Sequence, residues 1–137
     1  DSNATGVLSG ITRTTGQAEV VRAALDCIAY QITDIVEAMS ETSGIPIAEL
    51  RVDGGPTRNG YLMQFQSDML GIPVQIPDAE ELSGIGAAYA AGISAGIYGQ
   101  DVFGRMKRTA YTPGMEHSVR EEKYAGWKKA VSLVLTK

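Results

Sequence analysis

From Gln17 to Thr42 apolar residues recur at spacings of three and four. They are Val21, Ala24, Leu25, Ile28, Ile32, Ile35, Val36 and Met39, with Glu19, Arg22, Asp26 and Glu37 off that stripe. This is the period of an amphipathic helix. Thr14-Thr15-Gly16 marks a break before it, Gly44 suits its C-cap and Pro46 forbids its continuation. Residues 6–12, GVLSGIT, read as a short strand with Val7 and Ile11 among small residues. A second short strand is expected over Ala48–Val52, and a helix over Asn59–Leu70 with Leu62, Met63, Gln66, Met69 and Leu70 on one face and Gly71 as its stop. Ile72–Ile76 reads as a third strand closed by Pro77, and Pro73 marks a strand start or an edge position.

A helix built almost entirely from small residues is expected over Glu81–Tyr98, with Gly84, Gly86, Ala87, Ala90, Ala91, Ser94, Ala95 and Gly96 along it. Each such glycine costs up to about 1 kcal/mol relative to Ala. Close packing of this helix on a sheet is the simplest compensation. Glu80 and Glu81 suit its N-terminus. Gly99–His117 is the least regular stretch and reads as a loop. The last helix is expected from Ser118, with Glu121 completing a capping box and Tyr124, Trp127, Val131, Val134 and Leu135 as its stripe. Alternating strands and helices define an α/β fold.

Composition changes this picture in a few places. The 137 residues suit one domain, and 16 of them are Gly, roughly 12% against a usual ~7%. No collagen-like or low-complexity pattern accounts for the excess, so the glycines serve particular backbone positions. A formal charge of −4 without a Lys/Arg cluster argues against nucleic-acid binding. One Cys and one His exclude an internal disulfide and a Cys/His zinc site. No apolar run reaches membrane-spanning length, and no start resembles a signal peptide. The chain begins at Asp1 without an initiator Met, so a piece of a larger protein is expected.

The candidate chemistry lies in RVDGGPTRNG, Arg51–Gly60, where a strand stops at two glycines and a helix begins just beyond. In open α/β sheets ligands bind at the carboxyl ends of strands. Glycine there permits positive φ and lets a ligand approach the backbone. The following helix start offers N–H groups, and the Asn59 amide could read a ligand edge. The pattern is neither a Walker A loop nor GxGxxG, and a Gly-Gly turn serves as a plain connection more often than as a ligand seat. Asp53 reads as turn chemistry. Cys27 reads as a small core residue, His117 as a solvated loop residue and Trp127 as a core anchor. No nucleophile–base set or carboxylate pair can be assembled.

Three segments resemble the C-terminal domain of the FGGY carbohydrate kinases. GVLSGITRTTGQAEVVRAALD, Gly6–Asp26, fits the second signature of that family in residue class and spacing. RVDGGPTRNGYLMQFQSDMLGIPVQIP, Arg51–Pro77, with GIGAAYAAGISAGIY after it, and KYAGWKKAV, Lys123–Val131, favour the members that phosphorylate glycerol over the pentose kinases. The resemblance implies a ribonuclease-H-like, actin-like domain that holds ATP opposite a polyol-binding N-terminal domain. It implies that Gly55 and Asn59 contact the nucleotide near its adenosine end while Gly54 shapes the same turn.

The implied reaction is transfer of the ATP γ-phosphate to glycerol, giving glycerol 3-phosphate, with Mg²⁺ held mainly outside this segment. The resemblance places the base and the polyol-gripping residues upstream, so no catalytic or metal residue is assigned here. It also places the domain's first strands before Asp1. The segment is therefore expected to be inactive alone, to leave residues 6–12 with an unpaired edge, and not to fold stably by itself. A cytoplasmic protein, homo-oligomeric at full length, is implied. Val119, in PGMEHSVREE, stands where enterobacterial members carry a metal-sharing glutamate for an inhibitory protein, so that regulation is not expected. The alternatives are a kinase for a pentulose or tetritol, and a non-catalytic actin-like nucleotide-binding module.

Overall fold

The computed structural model describes residues 1–79 and 82–135. The elements run α1 (Gln17–Ser43), β1 (Leu50–Arg51), a 3₁₀ turn (Gly55–Arg58), α2 (Gly60–Leu70), β2 (Val74–Pro77), α3 (Leu82–Ser94), a second 3₁₀ turn (Gln100–Arg105), β3 (Arg108–Tyr111) and α4 (His117–Ser132). The three strands form one sheet in the order β1-β2-β3. β1 runs parallel to β2, Leu50 opposite Val74, and β3 runs antiparallel, Tyr111 opposite Val74. Pro73 precedes the central strand, where its missing N–H costs no ladder bond, and its carbonyl accepts from the Leu50 N–H at 2.9 Å.

α2 is the hub. Leu62, Met63, Phe65 and Met69 are buried with Val74 of β2, Ala29 of α1 and Tyr124 of α4. Gly71 ends α2 in the left-handed region at φ +69°, and its N–H donates to the Ser67 carbonyl at 2.9 Å. The Arg120 side chain lies where a Cβ would project from Gly71. Ser67 is fully buried; its hydroxyl lies 2.9 Å from the Ile72 carbonyl and 3.0 Å from that of Tyr111.

α1 forms where expected, and its packing face overlaps the expected stripe only in part, at Val36 and the half-buried Leu25 and Ile32. Its buried residues are Ala29, Thr33 and Val36, whereas Val21, Ile28, Ile35 and Met39 of the expected stripe are exposed. Ala29 lets α1 approach α2 closely. Thr33 is buried without cost to its hydroxyl, which donates to the Ala29 carbonyl at 2.8 Å. Beside this face the polar residues do the docking. Asp34 accepts from the Tyr124 hydroxyl at 2.6 Å and from Trp127 Nε1 at 2.8 Å, and Glu37 lies 2.8 Å from the same hydroxyl. Trp127 also stacks on Tyr30, with centroids 5.4 Å apart, as its expected anchoring role requires. Burial, and then the Asp26 charge, push the Tyr30 hydroxyl up to about 12.

Several expectations are corrected. Residues 6–12 form no strand: they pair with no other described segment, and Val7, Leu8 and Ile11 are exposed. Gly99–His117 is not only loop, because β3 lies inside it; RTAY shows no alternation and becomes a strand by pairing with β2. α3 stops at Ser94, short of Tyr98, because the Ile97 and Tyr98 N–H groups turn back to the Gly92 carbonyl at 2.8 and 3.2 Å. Among its described glycines, Gly92 packs closely, against the Tyr98 ring, while Gly84 and Gly86 face open space. Glu80 and Glu81 lie outside the described residues. α4 begins at His117, with Glu116 as N-cap and no capping box. Glu121 lies instead 3.3 Å from the Arg120 guanidinium. The approach to α4 is held from α2, where Asp68 accepts from the Gly114 and Met115 N–H groups at 2.7 and 3.2 Å.

Because both Asp34 oxygens are used, Asp34→Ala strands the Trp127 N–H and weakens the hold on Tyr124. The expected cost is about 1–3 kcal/mol. It should appear as a lowered Tm of the full chain, with Asp34→Asn falling between the two.

Candidate functional site

β1 and β2 are parallel neighbours, so their carboxyl ends open on the same edge of the sheet. The segments that leave those ends, Gly54–Arg58 and Ile76–Ala79, enclose a cleft of about 400 Å³. Gly54 enters the turn at φ 95°, ψ 178°, a combination that is essentially glycine-only. Its carbonyl accepts from the Thr57 N–H at 3.1 Å and the Thr57 hydroxyl at 2.7 Å, which closes the turn. Pro56 sits in the first turn of the 3₁₀ segment, where its fixed φ is preformed. Nothing lies within 4 Å of where a Cβ would project from Gly55, so the backbone there is open to a ligand. Arg58 and Asp78 bring one charge of each sign to the lining.

Asn59 is placed differently. It does not line this cleft but caps α2: its Oδ1 accepts from the Leu62 N–H at 3.1 Å, and its carbonyl accepts from the Met63 N–H at 3.1 Å. Capping uses the side-chain oxygen and leaves the amide nitrogen to act as a donor. Asn59 faces a second, open concavity of about 580 Å³, with Gln17, Ala18, Val21, Arg22, Leu25 and Tyr61. The structure thus brings Gly54 and Gly55 together on one cleft and sets Asn59 at the next bend of the same turn.

A cluster absent from the sequence reading holds the start of α2. The Tyr61 hydroxyl donates to Asp26 Oδ1, and the Arg22 guanidinium lies 3.4 Å from the Tyr61 ring centroid. Arg22 Nε also reaches Asp26 Oδ1 at 3.3 Å. Burial, and then the bond to Asp26, push the Tyr61 hydroxyl well above its usual range. No motif marks these residues, because the contact joins positions 35 apart. On the other side, the Tyr111 hydroxyl lies 3.2 Å from where a Cβ of Gly60 would stand.

The remaining candidates stay structural. Cys27 is half-buried and accepts from Gln31 Nε2 at 3.0 Å. His117 is exposed at the first turn of α4. A larger hollow, about 650 Å³, between Ile35, Met39, Ile45 and Ile47 has no charged group to orient a ligand. Among the described residues no group of three or more His, Cys, Asp or Glu side chains could hold a metal ion, and no helix is long and apolar enough to cross a membrane.

A mixed α/β domain with a glycine-lined crevice at the carboxyl ends of parallel strands is a small-molecule binding architecture. Residues 1–95 match the C-terminal domain of the FGGY family of carbohydrate kinases, and the chain belongs to that family. It is 47% identical over 134 residues to a glycerol kinase of Petrotoga mobilis and 43% identical over 137 residues to one of Bacillus licheniformis. Each match covers 96% of this chain but 27% of the relative, so the chain spans about a quarter of their length. The structure of Plasmodium falciparum glycerol kinase with ADP superposes with a TM-score of 0.89 at 31% identity, over 99% of this chain and 28% of that one. A xylulose kinase from Rhodospirillum rubrum shares the fold, with a TM-score of 0.79 at 23% identity over 95% of this chain and 27% of that one.

The two glycines make separable demands. Gly54→Ala forces a side chain into a glycine-only conformation and should cost about 1–3 kcal/mol. Gly55→Ala should change stability by less than about 0.5 kcal/mol. Thermal melts of the two variants in the full chain check the contrast.

Proposed function

We propose that this chain is the ATP-side domain of a kinase that transfers the γ-phosphate of ATP to glycerol, giving glycerol 3-phosphate. The observation that carries the reading is the open backbone of Gly55 at the carboxyl ends of two parallel strands, in a chain similar to an ADP-bound glycerol kinase. In this reading Gly54 sets the turn, Gly55 lets the adenosine end of the nucleotide lie against the backbone, and the Asn59 amide nitrogen donates to it. Phosphoryl transfer depends on holding donor and acceptor in line and on neutralising charge. This domain supplies one wall of the donor's adenosine site. The glycerol-gripping residues and the base that takes the hydroxyl proton belong to a preceding domain. Mg²⁺ would neutralise phosphate charge in such a reaction. The family resemblance puts the ion mainly outside this segment, which is expected to be inactive alone.

In the full-length protein, ATP-dependent turnover is expected on glycerol and not on xylulose or ribulose. Turnover on a pentulose without turnover on glycerol overturns the substrate, and nucleotide binding without turnover on any polyol overturns the kinase reading.

Because Asn59 is both cap and proposed donor, the choice of variant matters. Asn59→Ser keeps a capping oxygen and removes the amide. It should raise the KM for ATP about three- to tenfold, leaving Tm and the KM for glycerol near those of the parent. Asn59→Ala should show the same KM change together with about 1 kcal/mol of lost stability.

A further inference from the structure

We infer that Asp26 and Tyr61 are positioning residues for the nucleotide turn, joining α1 to the first turn of α2 so that Asn59 presents its amide at a set place. The inference rests on the reading of Asn59 as a nucleotide contact. Asn59 is tied to the helix it caps: its two acceptor bonds go to Leu62 and Met63. Where that first turn stands therefore decides where the amide nitrogen stands. Tyr61 is the residue in that turn whose polar tip crosses to another element, donating to Asp26 across 35 positions of sequence. Its ring packs against the Arg22 guanidinium at 3.4 Å and against Phe65, whose ring centroid lies 5.8 Å away in a stacked arrangement. Arg22 in turn shares Asp26 Oδ1.

The location supports a positioning role over a purely structural one. Arg22, Tyr61 and Asn59 line one concavity, so the cluster borders the space that the amide faces. Within the turn the Gly54 carbonyl accepts from Thr57, and the Asn59 N–H donates to the Pro56 carbonyl at 3.0 Å. The link from Tyr61 to Asp26 ties the helix start that follows this turn to α1. A displacement of about 1 Å in a positioned group is enough to cost binding or rate.

Steady-state kinetics of the full-length kinase provide the test, with Asn59→Ser as the reference for a lost contact. Tyr61→Phe keeps the ring and its stacking and removes only the hydroxyl. It should raise the KM for ATP about three- to fivefold and leave the KM for glycerol unchanged. Asp26→Ala should do the same, Asp26→Asn should restore most of the ATP affinity because the amide oxygen still accepts, and the Tyr61→Phe/Asp26→Ala pair should be no worse than either alone. If Asn59→Ser raises the KM for ATP but Tyr61→Phe does not, the positioning role is wrong and the nucleotide contact stands. Equal rises in both KM values for Tyr61→Phe, with a lowered Tm, make the bond merely structural and also overturn the role. An unchanged KM for ATP in Asn59→Ser removes the reading beneath it.

Discussion

Burial of α2 on nearly every side is the constraint on which the rest of the structure depends. Eleven residues long, it places Leu62, Met63, Phe65, Gln66, Ser67 and Met69 out of water. Each large apolar side chain among these contributes about 1.5–3 kcal/mol. The sheet reaches α1 and α4 chiefly through it, while α1 and α4 also meet directly where Asp34 accepts from Tyr124 and Trp127. A short helix is marginal by itself. Here it is held by tertiary contacts, and it passes its position on to the turn that precedes it and to the turn before α4, which Asp68 grips.

The glycine turn is tied to that hub by its last residue. Asn59 satisfies an N–H that would otherwise be orphaned at the helix start. A side chain already fixed by one hydrogen bond loses less freedom when its other end meets a ligand. Gly54 contributes strain of a kind only glycine tolerates, and Gly55 contributes bare backbone. The three residues that the family resemblance singles out therefore perform distinct physical tasks, and they face two neighbouring concavities rather than one.

α1 shows how a helix can be apolar over a wider arc than its packing needs. Its contact face joins Val36 to the small and polar residues Ala29, Thr33 and Asp34, which permit close approach and give Tyr124 and Trp127 an acceptor. Its larger aliphatic side chains, Val21, Ile28, Ile35 and Met39, stay exposed in this segment. Counting hydrophobic positions selects the larger side chains, whereas packing against α2 selected the shape that fits.

Local sequence alone determined the helix existence and most of the helix ends: the three- and four-residue spacing of α1, Gly44 and Gly71 in left-handed caps, and the glycine pair at the end of β1. These are encoded within a few residues, where backbone sterics and capping act. Tertiary structure decided everything that joins distant positions. It made a strand of Arg108–Tyr111, left residues 6–12 unpaired, chose which face of α1 is buried, held the approach to α4 through Asp68 and brought Asp26 to Tyr61. The reason is physical: a strand, a buried polar group or a cross-helix hydrogen bond exists only when its partner is in place, and a partner tens of residues away leaves no local signal.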